Sequence, residues 1–141
     1  MTEFKLDQFL PYQIVVLARR LSAGLAEIYS DKYGLTVSEW RVLAHLHDAG
    51  TCSVREIHLQ ADLEKSRVSR AVARLEARDL VVRAAHSGDK RLLVLALSPA
   101  GSTLVEEILP QALAFQTEVL GELEDAEGFQ TAIRTLLNRD D

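Results

Sequence analysis

Residues 53–98 read SVREIHLQADLEKSRVSRAVARLEARDLVVRAAHSGDKRLLVLALS, and this segment is the strongest indication of the fold class. Ser53 and Glu56 stand at the spacing of a capping box, which opens a short helix. A second helix is predicted from Glu64 to Arg78, because apolar residues recur along one of its faces at helical spacing. Those apolar residues are Val68, Ala71, Val72 and Leu75. The stretch therefore begins with two short helices joined by a turn.

Two apolar runs, Val81–Ala85 and Leu92–Ser98, follow these helices, and a polar turn that contains Gly88 separates them. This pattern predicts an antiparallel hairpin. A pair of short helices followed by a hairpin with a basic tip is the outline of a winged helix-turn-helix, so the predicted fold class is mainly α with a small β-hairpin. That outline indicates DNA binding.

The polar face of the second helix carries groups that donate hydrogen bonds to phosphates or base edges. We predict DNA contacts from Lys65, Ser66, Arg67, Ser69, Arg70 and Arg74. Arg70 is best placed for a base edge and Arg74 for a phosphate. The alternative is an ordinary solvated helix face.

The hairpin tip adds two further cations, Lys90 and Arg91. A narrow minor groove attracts a cation that is presented on a rigid hairpin, so we predict minor-groove or phosphate contact from both residues. A merely polar turn is the alternative.

Amphipathic helices are predicted on both sides of the helix-turn-helix. The first ends at Gly34, and Thr36 with Glu39 forms another capping box. Pro110 predicts a kink in the long helix that Ser98 caps. The predicted spans are Leu6–Tyr33, Thr36 to about Ala49, Ser98–Pro99 through Leu123, and Asp125–Leu137.

The terminal helices carry broad apolar faces at opposite ends of the chain. These faces exceed what the central motif can cover, so we predict that a second copy of the chain packs on them. The residues expected there are Leu17, Leu21, Ile108, Leu113, Phe129 and Ile133. Residues 1–34 and 99–141 would thus be dimerisation helices, and residues 35–98 a DNA-binding unit of the same compact fold.

The composition bounds the class of protein. The chain has 141 residues, 48% of them hydrophobic and 26% charged, which is the ordinary globular range. The apolar runs predict neither a membrane span nor a secretory signal. The single cysteine suits a reducing cytoplasm, where we expect the protein to act. We predict no enzymatic activity, because neither a nucleophile–base pair nor a Gly-rich phosphate loop stands out.

The net charge of −5 would argue against nucleic acid if it were spread evenly. Residues 53–91, however, hold nine Lys and Arg against six acids, a balance of +3. The rest of the chain holds seven bases against fifteen acids, a balance of −8. This asymmetry indicates one surface that attracts an anion and others that repel it.

Several ordered fragments of the chain together resemble the MarR family of bacterial transcription regulators. Each fragment is short, but their order and spacing cover nearly the whole chain. The fragments are Leu35-Thr36 with Trp40-Arg41-Val42-Leu43, Ser69-Arg70 with Arg74-Leu75-Glu76, Leu80-Val81 with Arg83, Asp89-Lys90-Arg91, and Leu97-Ser98 with Gly101.

The resemblance implies an obligate homodimer with the recognition helix, 64–78, in the major groove of a pseudo-palindromic operator. It implies that Asp89 pairs with Arg91 and stabilises the wing. Two positions depart from the family pattern. Lys90 replaces the usual arginine and loses the fork geometry of a guanidinium, and Asp79 stands where the family has a glycine.

Cys52 and four histidines are the remaining candidates for chemistry. Cys52 precedes a helix N-terminus, which favours a reactive thiol, but the chain offers no second cysteine to resolve an oxidised one, so we predict a structural role. The four histidines lack a Cys or carboxylate cluster at ligand spacing, so we predict no metal site and no cofactor.

Arg41 and His45 are one helical turn apart and follow Trp40, which we expect in the core. In relatives, the crevice between the DNA-binding and dimer regions takes small aromatic carboxylates or acyl conjugates. A cation beside an aromatic ring suits such an anion, so Trp40, Arg41 and His45 are our candidate effector site.

The sequence thus predicts a sequence-specific transcriptional regulator, a repressor that a small organic ligand releases from its operator, with an aromatic acid or an acyl thioester as the candidate effector. The alternative is an architectural DNA-binding protein of low sequence specificity without an effector.

Overall fold

Long helices from the two ends of the chain flank a small unit of three helices and a hairpin in the computed structural model. The structure describes residues 2–85, 88 and 93–139. The helices are α1 (Leu10–Tyr33), α2 (Val37–Ala49), α3 (Val54–Ala61), α4 (Lys65–Ala77), α5 (Pro99–Leu120) and α6 (Ala126–Leu137). The strands are β1 (Thr51–Cys52), β2 (Val81–Ala85) and β3 (Leu93–Leu97). The predicted fold class is confirmed.

The start of α1 differs from the prediction. Residues Leu6–Gln8 form a separate 3-10 turn, and α1 begins at Leu10. A helix running on from Leu6 would place Pro11 in its second turn, where the ring meets the carbonyl four residues earlier. Starting at Leu10 puts Pro11 in the first turn, where its missing N–H costs little. The helix ends at Gly34 as predicted, and the φ of this glycine, 65°, is left-handed.

The predicted caps begin the next helices. Thr36 Oγ1 accepts from the Glu39 amide at 3.2 Å, and Glu39 Oε1 accepts from the Thr36 amide at 3.0 Å. Ser53 caps α3 in the same way, at 3.1 Å from the Glu56 amide, but the Glu56 carboxylate accepts from the Cys52 thiol at 3.7 Å. Only the first half of the second capping box is therefore seen among the described contacts.

The hairpin is antiparallel, with Val81 opposite Leu97 and Ala85 opposite Leu93. Strand β1 pairs with the outer side of β3, so the described sheet has the order β1-β3-β2. Our sequence interpretation missed β1 because two residues are too few to show a period. The predictions for His86, Asp89, Lys90 and Arg91 concern positions outside the described residues.

The core lies between α2 and α4 and extends to the strands and to α1, α3 and α5. Trp40 of α2 is 8% exposed and stacks on Tyr29 of α1, with ring centroids 5.4 Å apart. Ile108 of α5 is fully buried in this core and is therefore unavailable to a dimer surface, which corrects our expectation for it. Leu17, Leu113 and Ile133 remain 40–59% exposed, as a dimer surface requires.

Across the part of the chain that the structure describes, none of the helices is long and apolar enough to cross a membrane. A group of three His, Cys, Asp or Glu side chains able to hold a metal ion is likewise missing from these residues.

Candidate nucleic-acid interface and ligand cavity

Helix α4 presents two chemically different faces. Val68, Ala71, Val72 and Leu75 are fully buried, so the apolar stripe fixes the helix against the core. Burial of such a stripe stabilises a helix that propensity alone would leave marginal. The polar face opposite is directed to solvent, at the position of a recognition helix.

Four polar side chains of α4 are exposed and lack a hydrogen-bond or ion-pair partner among the described residues. They are Lys65, Ser66, Ser69 and Arg70. Free donors on one helix face can bind phosphates and base edges without first breaking an internal contact. The structure therefore brings these four predicted DNA-binding residues together on one surface.

The other two predicted DNA-binding residues of α4 contact the protein. Arg67 Nη2 donates to Ser38 Oγ at 3.0 Å, and Arg74 Nε lies 3.8 Å from the Glu39 carboxylate. Arg78, at the end of the same helix, donates to the carbonyls of Tyr33 and Gly34 at 2.9 and 3.2 Å. Sequence reasoning missed these contacts because their partners lie about 30 to 45 positions away.

The hairpin is attached to the end of α4 by a Schellman motif. The Leu80 amide donates to the Leu75 carbonyl at 3.0 Å, and the Asp79 amide to the Glu76 carbonyl at 2.9 Å. Asp79 takes the left-handed conformation, with φ 59°, so the cap is kept although an aspartate stands where the family has a glycine. Arg83 of β2 then pairs with Glu76 at 2.9 Å. The wing strands therefore have a fixed orientation relative to α4.

A cavity of about 620 Å³ lies between α1, α2, α5 and α6. Its wall is mainly apolar, and its inner end holds buried Tyr29 and Trp40 beside Arg41. The remaining lining residues are Leu17, Leu21, Ser22, Leu25, Ala112, Leu113, Phe115, Gln116, Val119, Leu120, Glu122, Leu123, Phe129, Gln130 and Ile133. A cavity of this size and character can hold an organic molecule with one anionic group.

The inner end of the cavity combines a cation with a phenol. Burial raises the pKa of the Tyr29 phenol above its ordinary value, and the positive charge of Arg41 opposes that rise. The phenol therefore stays protonated at neutral pH and can donate a hydrogen bond. Tyr29 was missed from the sequence, where it reads as one more apolar position of a long helix.

The structure separates the three predicted effector residues. Trp40 and Arg41 line the cavity, but His45 is not among its lining residues. The His45 imidazole lies instead against its own helix, with Nδ1 2.8 Å from the Arg41 carbonyl. Gln116 and Gln130 also line the wall. Sequence reasoning missed them because they lie far from Trp40 along the chain.

Cys52 lies in β1 and is 1% exposed. Its burial, and secondly the neighbouring Glu56 carboxylate, raises the pKa of the thiol above its ordinary value. A thiolate is the reactive species, so this environment lowers the reactivity of Cys52 and favours the structural role.

An exposed basic helix in a helix-turn-helix, followed by an attached hairpin, defines a winged helix-turn-helix DNA-binding protein. Residues 33–92 match the profile described as the MarR family. The chain is 31% identical over 102 residues to the HTH-type transcriptional repressor MdtR of Bacillus subtilis, covering 72% of this chain and 66% of that one.

Solved structures of related proteins match the fold of this chain over nearly its full length. A MarR/EmrR family regulator from Acinetobacter sp. ADP1 has a TM-score of 0.83, with 33% identity and 96% of both chains covered. BpsR of Bordetella bronchiseptica, whose DNA binding is regulated by 6-hydroxynicotinic acid, also has a TM-score of 0.83, with 25% identity, and the match covers 99% of this chain and 100% of BpsR. The chain belongs to the MarR family and is a DNA-binding transcriptional regulator.

Proposed function

We propose that the chain is a homodimeric repressor that leaves a pseudo-palindromic operator when a small aromatic acid or its acyl thioester occupies the cavity. The observation that carries this proposal is the position of Arg41. Arg41 lines a mainly apolar cavity whose wall also holds Glu122, and it lies on the same helix that packs against α4. An anion bound there would act directly on a neighbour of the recognition helix.

The DNA-binding part of the proposal assigns α4 to the major groove. Lys65, Ser66, Ser69 and Arg70 supply donors for bases and phosphates, and Lys90 and Arg91 of the wing add minor-groove or phosphate contacts. Two copies related by a two-fold axis would then bind half-sites about one helical turn apart. A pseudo-palindromic operator matches that symmetry.

The exposed apolar side chains of the terminal helices support the homodimer. Leu10, Ile14 and Val15 of α1 are 49–57% exposed, and Leu136 and Leu137 of α6 are 49% and 78% exposed. A soluble monomer rarely leaves such a set open to water. These side chains lie on the helices that form the cavity wall, so a second subunit would also shield the bound effector.

Aromatic rings and a cation at one end of a cavity favour an aromatic carboxylate as its ligand. The indole of Trp40 can stack on a ligand ring, while Arg41 and the Tyr29 phenol can bind its carboxylate. The similarity to BpsR supports this class of ligand, because 6-hydroxynicotinic acid is an aromatic acid. Release follows if the ligand prefers a dimer whose recognition helices fit successive major grooves poorly.

The test begins with an operator selected by the protein itself from a pool of random duplexes. Calorimetry then measures the binding of aromatic acids, including 6-hydroxynicotinic acid, and their thioesters, to the free and the DNA-bound protein. We expect an effector to bind free protein about 5- to 150-fold more tightly, because allosteric coupling is commonly about 1–3 kcal/mol. By reciprocity, the same ligand must weaken operator binding by the same factor.

Two variants locate the site. Arg41→Gln should weaken effector binding strongly, while Arg19→Gln, on the exposed surface of α1 and away from the cavity lining, should leave it unchanged. Equal effects of the two variants would place the effector elsewhere. Failure of the protein to select any preferred duplex would instead favour the architectural DNA-binding protein.

A further inference from the structure

We propose that Arg67, Arg74 and Arg78 are positioning residues that hold the recognition helix to the α1–α2 junction, rather than ligands of DNA. We refer to these three residues as the arginine clamp. The proposal rests on the proposed function only in assuming that α4 binds a specific duplex. It divides the basic surface of α4 into a part that binds DNA and a part that orients the helix.

The three arginines form a stripe of their own. At 3.6 residues per turn, positions 67, 74 and 78 lie within about 40° of each other around the helix. Arg70 and Ser66 lie about 40° and 80° to one side of Arg74, and Leu75 of the buried stripe lies about 60° beyond Arg78 on the other side. The clamp therefore borders the buried face, where side chains can reach neighbouring helices.

The first clamp contact joins two helices through a buried hydroxyl. Arg67 donates to Ser38 Oγ at 3.0 Å, and Ser38 is only 5% exposed. Because Ser38 lies beneath the surface, it has no access to DNA. Its hydroxyl can influence DNA binding only through the side chain of Arg67, from which it accepts a hydrogen bond.

The second contact uses a buried carboxylate. Glu39 is 3% exposed and accepts from the Thr36 amide at 3.0 Å, and Arg74 lies 3.8 Å from the same oxygen. A buried carboxylate needs a cationic or hydrogen-bonded partner, because an unpaired charge there is costly. Arg74 is the cation that pairs with this carboxylate, and its side chain is 49% exposed beyond that contact.

The third contact places a cation at the end of a helix. Arg78 donates to the Tyr33 and Gly34 carbonyls at 2.9 and 3.2 Å. Carbonyls at the C-terminus of α1 are short of intrahelical donors and carry the negative end of the helix dipole. All three clamp contacts thus reach residues 33–39, the connection between α1 and α2.

The buried partners make a direct test possible. Glu39→Gln preserves the capping box, which accepts glutamine, but removes the charge that pairs with Arg74. If Arg74 were a phosphate ligand, removing a nearby negative charge would leave DNA binding unchanged or tighter. If Arg74 positions α4, the same change weakens specific binding. The two roles therefore predict different changes in the affinity of Glu39→Gln for specific DNA: a loss if Arg74 positions α4, and no loss if it binds phosphate.

Fluorescence anisotropy should compare the selected duplex with its shuffled sequence over a series of salt concentrations. We expect Ser38→Ala and Glu39→Gln each to weaken specific binding about five- to tenfold, with the salt slope unchanged. Arg67→Gln and Arg74→Gln should have matching effects, and the pairs Ser38→Ala/Arg67→Gln and Glu39→Gln/Arg74→Gln should be non-additive. The control Arg70→Gln should instead lose sequence discrimination or reduce the salt slope by about one.

Amide hydrogen exchange without DNA provides a second measurement. Ser38→Ala and Glu39→Gln should speed exchange in α4, whereas Arg70→Gln should not. The proposal is overturned if Glu39→Gln leaves specific binding intact or strengthens it, if Arg74→Gln lowers the salt slope, or if exchange in α4 is unchanged. If the wild-type protein selects no duplex, the proposed function fails. The exchange experiment would still test whether the arginine clamp stabilises α4.

Discussion

Among single residues, we expect the exposed side chains of α4 that lack a partner in the described part of the chain to carry sequence recognition. Arg70 is exposed and lacks a partner within the described part of the chain. Arg70→Ala should therefore reduce discrimination between operator and shuffled duplex by about 1–3 kcal/mol, the value of one good base contact. Competition anisotropy measures this, with Arg19→Ala as the control. Unchanged discrimination would remove Arg70 from base recognition.

Gly101 owes its identity to a close approach of two backbones. A Cβ at this position would lie 2.1 Å from the Leu80 carbonyl oxygen, which also accepts from the Ser98 amide at 3.0 Å. Gly101→Ala should destabilise the fold by at least about 1–3 kcal/mol, because backbone on both sides must shift. Thermal unfolding at fixed protein concentration tests this.

The control for Gly101 is Gly121→Ala, since Gly121 has an ordinary helical conformation with φ −65°. Its effect should stay within about 0.5 kcal/mol. Equal destabilisation by the two changes would show that the approach of Leu80 is not what selects glycine.

Cys52 gives the stability a pH dependence of known sign. Its folded pKa is raised, chiefly by burial, so the unfolded thiol ionises first as the pH rises. Stability should therefore be unaffected well below about pH 8.5 and should fall as the pH rises from there through the folded pKa. Thermal unfolding of Cys52→Ala should show a lower melting temperature at neutral pH but a flatter decline above about pH 8.5. A parallel decline in both proteins would exclude the thiol as its cause.

At the scale of elements, the local signals were sufficient wherever capping or a strong period decides the structure. Thr36, Ser53, Ser98 and Asp125 each cap the helix predicted to follow them. Strand β1 and the start of α1 were not predicted, because a two-residue strand has no period and the 3-10 turn interrupts a continuous apolar pattern. The position of β1 depends on its pairing with β3, and the start of α1 depends on the ring of Pro11.

The end of α4 allows a stabilising change. Asp79 occupies a left-handed position of the Schellman motif that glycine adopts without steric cost. Asp79→Gly should raise the stability by about 0.5–1 kcal/mol, because relief of the strain exceeds the added entropy of the unfolded chain. Asp79→Ala is the control and should destabilise, as it keeps the Cβ and loses the polar side chain. Thermal unfolding measures both, and a less stable Asp79→Gly protein would contradict this explanation.

In the whole molecule, the division of charge indicates the same surface as the exposed polar side chains of α4, but the cavity could not be predicted in full. Its wall combines Leu17 and Tyr29 of α1 with Arg41 of α2 and residues of α5 and α6 that are about 70 to 115 positions further along. A single sequence shows which helix faces are apolar, but not which faces meet. The same limit applies to the arginine clamp, because its partners are distant in the sequence and approach α4 only in the folded chain.

The terminal helices are expected to carry the self-association of the chain. Ile14, on the terminal helix α1, is 49% exposed, while Leu59, on α3, is 65% exposed. If the terminal helices form the dimer interface, Ile14→Glu should weaken the dimer by at least about tenfold, because a carboxylate would be buried without a partner. Leu59→Glu, the same change at a more exposed apolar site outside the terminal helices, should remain dimeric.

Sedimentation velocity across a concentration series measures both variants, and circular dichroism shows whether each is folded. A wild-type protein that stays a well-folded monomer at micromolar concentration would contradict the dimer. A dimer that dissociates with Leu59→Glu but not with Ile14→Glu would move the interface to the helix-turn-helix. That interface would lie on the helix-turn-helix itself, whereas pairing through the terminal helices leaves both copies of α4 open to successive major grooves.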